Sequence, residues 1–438
     1  MTGDVHDVVV GLGFGDEGKG AVVDALCGAG HVAAVVRFNG GAQAAHTVVD
    51  GDRAHTFHQF GSGTLQGVRT FLSRHVAVEP LALATESRAL EHLGVADPLR
   101  LVSVATDAPL TTPIHVAANR TREDARGAAR HGSCGLGVGE TVWYGLVAAF
   151  RPAPGSLFEG HPVASSEPPP APTVGDCREP ARLRRTLDAL ARWYAPLLAG
   201  GAHGFGSVGE LVAVYREFGA AVRIVGDGEL GTLAARGPLV FEGAQGALLD
   251  QHHGFHPYTT WSNTTPANAR GLLAEIGGRA RVLGVTRTST TRHGAGPLPT
   301  EDPTLRARLP EPHNGDGGYQ GAWRVGHLDA VLLRHAVRAC GGIDGLAVTH
   351  LDRASSGLHW ADRYADGTVD LPEGRPGDLA HQSSLTARLA VARPVLDDLP
   401  RDADALLAQL ERTTGVPVVV TGHGPDRTAH AVRRPVLR

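Results

Sequence analysis

The run Gly13-Phe14-Gly15-Asp16-Glu17-Gly18-Lys19-Gly20 holds the parts of an oxyanion-binding turn together with two acids that such a turn does not need. Glycines let backbone N–H groups come close to phosphate oxygens. A helix opening at Ala21–Leu26 would add the partial positive charge of its N-terminus, and Lys19 a full one. The spacing satisfies GxxxxGK, but Gly20 stands where a Walker loop carries Ser or Thr, so no hydroxyl is offered to magnesium there. A carboxylate inside an anion-binding loop is better explained as a metal ligand or a base than as part of the cradle. Lys19 is also the only lysine among 41 basic residues. A compact ammonium on a flexible stem fits where a planar guanidinium would not.

These residues need a frame. Short β-branched runs at Val8–Gly11, Ala33–Arg37, Leu99–Ala105, Val222–Val225, Leu239–Phe241, Arg281–Val285, Gly345–Thr349 and Val416–Val420 predict strands. Helical spacing covers Glu79–Leu93, Arg182–Leu198, Glu210–Phe218, His327–Cys340 and Ala403–Thr413. The alternation predicts an α/β fold with one large, mostly parallel central sheet and helices on both faces. A single domain over 1–438 follows. The proline-dense stretch 152–180 reads as a surface excursion, and 297–320, rich in Pro and Gly, as a loop over the site. Gly15, Gln245, Asp352 and Gly424 each fall just beyond a predicted strand, where open α/β sheets place ligands.

Composition excludes several classes. A net charge of −4 without a basic run gives no surface for nucleic acid or membrane. There is no apolar span or leader-like start, so the cytoplasm is expected. The four cysteines are scattered without a CxxC pair, which argues reduced thiols rather than a disulfide frame or a zinc site.

The departure from the Walker pattern, Gly15-Asp16-Glu17-Gly18-Lys19-Gly20, resembles the signature of the adenylosuccinate synthetase family. The resemblance continues through Val36-Arg37-Phe38-Asn39-Gly40-Gly41-Ala42-Gln43-Ala44-Ala45-His46-Thr47 and Phe241-Glu242-Gly243-Ala244-Gln245-Gly246-Ala247-Leu248-Leu249-Asp250. It resumes in Ser262-Asn263-Thr264-Thr265, Gly294-Ala295-Gly296-Pro297, Leu351-Asp352 and Gly424-Pro425-Asp426-Arg427, in family order from end to end. It implies an enzyme in which GTP phosphorylates an oxo oxygen, that of IMP in the family, and an amine then displaces phosphate. By the same resemblance Asp16 is the general base, His46 the acid on the transferring phosphate and Gln245 the amide that stabilises the developing oxyanion. Asp16 and Ala45 would hold Mg2+. GTP contacts would come from Gly15, Glu17, Gly18, Lys19, Gly20, Thr47, Asp352, Gly424 and Pro425. Gln43, Ser133, Cys134, Leu249, Thr260, Gly294 and Arg324 would contact the acceptor and the amine, and a homodimer is implied. Asp352 carries its own chemistry: a carboxylate can accept from guanine N1–H and its amino group together, a pair that adenine lacks.

The other half of the site departs from the family. Where the family carries two threonines and four arginines before Gly-Trp-Leu-Asp, this chain has Gly318-Tyr319-Gln320-Gly321-Ala322-Trp323-Arg324-Val325-Gly326-His327-Leu328-Asp329, and only Arg324 is kept. Charged hydrogen bonds contribute about 1.5–3 kcal/mol each, so losing two would weaken aspartate binding roughly 10²- to 10⁴-fold. Cys134 replaces the phosphate-contacting threonine, Gln43 an asparagine, Trp261 a small residue and His293 a valine, and the arginine lent by the partner subunit falls at Ala148. The expectation is a diverged member with a changed acceptor, amine or both. Adenylosuccinate synthetase itself and a catalytically silent GTP-binding protein are the alternatives.

Overall fold

The computed structural model describes residues 4–127, 130–158, 161–226, 228–311, 314–354 and 357–433. Its centre is a ten-stranded sheet. In spatial order the strands are His430–Val432, Val418–Gly422, Gly345–Thr349, Arg279–Arg287, Val5–Gly11, Leu239–Gly246, Ala34–Arg37, Arg69–Leu72, Val102–Ala105 and Arg223–Val225. Every neighbouring pair is parallel except the edge pair Val418–Gly422 with His430–Val432.

The valine runs explain the layering. Val8, Val9 and Val10 are fully buried, as a strand covered on both faces must be. Val8 and Val10 join one apolar cluster with Val36, Phe241, Val282 and Leu346. Val9 points the other way, to Val22, Val23, Val35 and Val240. The helix Lys19–Ala29 supplies that second, thinner layer, while Pro113–Arg126, Val138–Phe150 and Pro180–Leu198 build the thicker one.

Predicted strands and helices correspond to observed ones, with shifted ends. Leu99–Ala105 is a 3-10 turn, Pro98–Leu101, followed by the strand Val102–Ala105, because Pro98 and an αL Asp97 start a tight turn. The predicted helix His327–Cys340 begins only at Ala330, since Asp329 caps it by accepting from Leu332 N and Leu328–Asp329 pairs with Trp360–Ala361. The hairpin His46–Asp50 with Arg53–Phe57 and the helix Leu379–Ala390 went unpredicted. In the proline-dense 152–180 stretch, Tyr144 Oη donates to the Pro169 carbonyl at 2.7 Å and Trp193 Nε1 to that of Ser166 at 3.3 Å. Val163 and Val174 of that stretch are buried.

The turn that carries Thr260 depends on one acid. Asp250 is fully buried; it accepts from His252 N at 2.8 Å, His253 N at 3.1 Å and Thr264 N at 2.6 Å. We expect Asp250→Ala to cost about 3 kcal/mol in urea unfolding, because it orphans these donors.

Two buried histidines set a pH response. Burial takes the His115 imidazole down to about 3 and that of His335 to about 4. A histidine whose folded pKa lies below its unfolded one takes up a proton on unfolding. The stability is therefore fully present above about 6.5 and is lost as pH falls toward 4. Urea midpoints should fall steadily across that window, and His335→Gln should flatten the slope.

Candidate active site

The C-terminal ends of the central strands converge on one crevice. The strand Val5–Gly11 runs into the glycine loop, and Gly18, at φ 87°, precedes the helix Lys19–Ala29 without any side-chain cap. The first-turn N–H groups are thus left for an oxyanion. Lys19 Nζ donates to the Gly15 carbonyl at 2.7 Å and to Glu17 Oε2 at 2.9 Å, while Gly15 N donates to Glu17 Oε1 at 2.7 Å. Lys19 and Glu17 are both buried. Glu17 therefore braces the loop from within. Gly20 has a steric reason to be glycine: a Cβ there would lie 2.7 Å from His46 Cβ and 3.1 Å from Ser62 Oγ.

His46 opens the hairpin strand His46–Asp50, and its Nδ1 lies 2.6 Å from Glu242 Oε1. Ser62 N donates to Glu242 Oε2 at 3.0 Å. Burial, then the neighbouring Arg37 and Lys19 charges, bring the His46 imidazole down to about 4 against the pull of Glu242. Burial would raise the Glu242 carboxyl, but the charge of His46 and Arg37 and the hydrogen bonds from His46 and Ser62 hold it at about 2. The pair is a neutral imidazole donating Nδ1–H to a carboxylate, which leaves Nε2 for a ligand.

Asp16 lies with its carboxyl a quarter exposed (25%), and burial raises its pKa against the opposing charges of His293, Lys19 and Arg287. His293 Nε2 is 4.0 Å from Asp16 Oδ2. A carboxylate held partly out of water is a stronger proton acceptor. Gln245 sits at φ 64° near the end of the strand Leu239–Gly246, where the register with Val5–Gly11 slips. That conformation is costly outside glycine. Its Nε2 is 2.9 Å from the Thr260 hydroxyl, and Oε1 has no partner among the described residues. Since a hydroxyl donates or accepts, Thr260 can fix either end of the amide and present the other to the cavity.

Asp16, His46 and Gln245 line a single cavity of about 530 Å³. Gly15, Gln43, Ala45, Ser133, Cys134, Leu249 and Thr260 line it too. Both amide atoms of Gln43 are buried without a partner among the described residues, so they call for a ligand. Gly294 and Arg324 do not line the cavity. Arg324 ion-pairs with Glu301 at 2.5 Å and donates to the carbonyls of Gly294 and Gly296. Arg292 does line it, but its fork goes to the carbonyls of Ala295, Pro297 and Tyr258. His293 and Trp323 are direct cross-strand partners with ring centroids 4.6 Å apart, so two departures from the family pattern form one contact. Trp261 lies against His161, a second cavity residue.

On the other side of the loop, Thr349 Oγ1 donates to the Glu17 carbonyl at 2.7 Å. This joins the phosphate loop to the strand Gly345–Thr349, beyond which the turn Leu351–Arg353 carries Asp352, 40% exposed. Gly424 and Pro425 follow the neighbouring strand Val418–Gly422. Thr47 lies in the hairpin, Oγ1 3.0 Å from Thr56 Oγ1. Nothing in the sequence marks Glu242 and Ser62 as a pair, although Glu242 lies in the run Phe241–Asp250; the place of Glu242 beside His46 shows what it does.

Magnesium fits the donors present. Among the described residues no cluster of three or more His, Cys, Asp or Glu could hold a metal alone. Mg2+ is usually held by one or two carboxylates together with substrate phosphates, and Asp16 and Ala45 line the same cavity beside the phosphate loop.

The family model described as adenylosuccinate synthetase matches residues 8–431. The adenylosuccinate synthetase of Chromohalobacter salexigens is 35% identical over 464 aligned positions, covering 98% of each chain. The structure of fully ligated adenylosuccinate synthetase from Plasmodium falciparum superposes with a TM-score of 0.76 at 21% identity, covering 98% of this chain and 100% of that one. The succinoaminodeoxyadenylate synthetase of cyanophage S-2L, bound to dGMP and dATP as an energy donor, superposes at 0.57 and 18% identity, covering 99% and 96%.

Gly20→Ser, which restores the Walker hydroxyl, should lower turnover at least tenfold rather than improve it, because the new side chain displaces His46. Phosphate release from GTP measures this.

Proposed function

The chain belongs to the adenylosuccinate synthetase family, and on that premise we propose that it joins L-aspartate to IMP at the expense of GTP. Its class is that of GTP-dependent C–N ligases, which use Mg2+. Among the described residues no helix is long and apolar enough to cross a membrane. The observation that carries the substrate reading is the gathering of Asp16, His46 and Gln245, from three separate segments, in one cavity beside the phosphate loop.

In this reading Asp16 takes the N1 proton of the oxopurine, and the 6-oxygen attacks the γ-phosphorus of GTP, whose bond to the β–γ bridging oxygen breaks so that GDP leaves. Lys19 and the uncapped start of Lys19–Ala29 hold the phosphates. Proximity of a dianionic phosphate raises the proton affinity of His46, and Glu242 keeps its ring aligned to donate from Nε2. The Gln245 amide stabilises the oxygen that gains charge. Asp16 and the Ala45 carbonyl would hold Mg2+, which supplies charge neutralisation on the phosphates. The aspartate amine then displaces phosphate at C6. Hydroxide is a poor leaving group and phosphate a good one, so the phosphorylation makes this exchange possible. We also take the enzyme to work as a homodimer, as the family resemblance implies.

A second reading keeps the phosphoryl transfer and changes the amine or acceptor. It is favoured by Arg324 and Arg292, whose forks are spent on Glu301 and loop carbonyls rather than turned to a dicarboxylate. With IMP, aspartate and GTP together we expect phosphate release and an adenylosuccinate product by mass spectrometry, and Asp16→Asn should cut turnover at least 10²-fold. No product from that mixture, with turnover restored by another amine, moves the assignment to the second reading.

A further inference from the structure

A charge network on the nucleotide side joins three segments that the proposed reaction uses separately. Arg287, at the end of the strand Arg279–Arg287, is buried. Its Nη1 donates to the backbone carbonyl of Asp16 at 3.0 Å and its Nη2 to Glu311 Oε1 at 2.5 Å. The same Glu311 oxygen receives Arg353 Nη1 at 2.8 Å. Arg353 Nε in turn lies 4.0 Å from the carboxylate of Asp352. One acid from the 297–320 segment therefore sits between the turn that bears Asp352 and the loop that bears Asp16.

We propose that Glu311 is a positioning residue that couples occupancy of Asp352 by a guanine base to the placement of Asp16. This rests on the reading of Asp352 as the guanine acceptor. Arg353 is shared between two acids, one of which, Asp352, is 40% exposed and free to meet a base. When guanine N1–H and its amino group engage Asp352, part of that carboxylate's charge is satisfied and Arg353 turns more fully to Glu311. Glu311, so anchored, holds Arg287, and Arg287 holds the Asp16 carbonyl. Charge-assisted contacts of this kind are short and directional, which suits them to fixing a loop. Adenine cannot make the paired contact, so ATP leaves the chain of contacts slack. Base preference is then expressed in kcat as well as in binding, as when the correct substrate completes a catalytic site.

The test measures kcat with GTP and ATP, and the Kd of GTP by titration calorimetry, for E311Q, R353M, their double variant, E311D and D352N. E311Q should lower kcat with GTP about tenfold while Kd for GTP changes less than about threefold, a split expected when positioning is lost and binding is kept. E311D should recover part of the loss. The kcat preference for GTP over ATP should shrink in E311Q, and R353M should add no further loss in the double variant. Losses that multiply in the double variant, or an E311Q with unchanged kcat and unchanged preference, overturn the coupling. A D352N that still prefers GTP overturns the base reading and with it the trigger, even where E311Q and R353M prove non-additive.

Discussion

Glu242 is a fully buried carboxylate on one of the two central strands, and its need for partners organises the cavity around it. A buried acid without partners costs several kcal/mol, so the chain must bring it donors. It does so from Ser62 and from His46, with the Arg37 charge nearby. His46 is thereby fixed in place and in tautomer. Because His46 is fixed, Gly20 has no room for a side chain, and the phosphate loop must be built without the Walker hydroxyl.

The loop answers that loss internally. Glu17, rather than facing outward, ties Gly15 N–H to Lys19 and holds the loop's curvature before any nucleotide arrives. The neighbouring Asp16 is left to face the cavity. Two acids in one anion-binding turn, puzzling from sequence, thus divide into a brace and a carboxylate turned to the cavity. Preorganisation of this sort matters in phosphoryl transfer, where the protein contributes position and charge rather than bonds.

The parallel sheet and its central strands were legible because Val8–Gly11, Gly345–Thr349 and Leu239–Phe241 are short apolar runs with a glycine at or within two residues of an end. The hairpin His46–Asp50 with Arg53–Phe57 was not, since residues such as Arg53 and His55 break the apolar alternation and its faces are only half buried. The helix Pro113–Arg126 was not legible because its inward face includes Asn119, Arg122 and Glu123, which line the cavity, and His115, which closes the capping box with Thr112. The phosphate loop, Asp16 and His46 could be found from motif and position. Glu311 and Arg287 could not: their pairing joins residues far apart in the chain, and neither stands in a recognisable pattern.

The residues gathered at the cavity and those beside it rest on different supports. Asp16, His46 and Gln245 hang from the ends of largely buried strands, or on a carboxylate such a strand holds. A change there disturbs the apolar packing on both faces of the sheet. His293, Trp323 and Arg324 sit instead on a two-stranded ribbon, Thr290–His293 with Trp323–Gly326, that stands outside the large sheet. On such a ribbon a histidine and a tryptophan can enter together as a tilted cross-strand ring pair, and an arginine can close on Glu301, without moving a central strand. Asp16, His46 and Gln245 are therefore tied to the central sheet, while His293 and Trp323 lie on a ribbon that can change pair by pair without disturbing it.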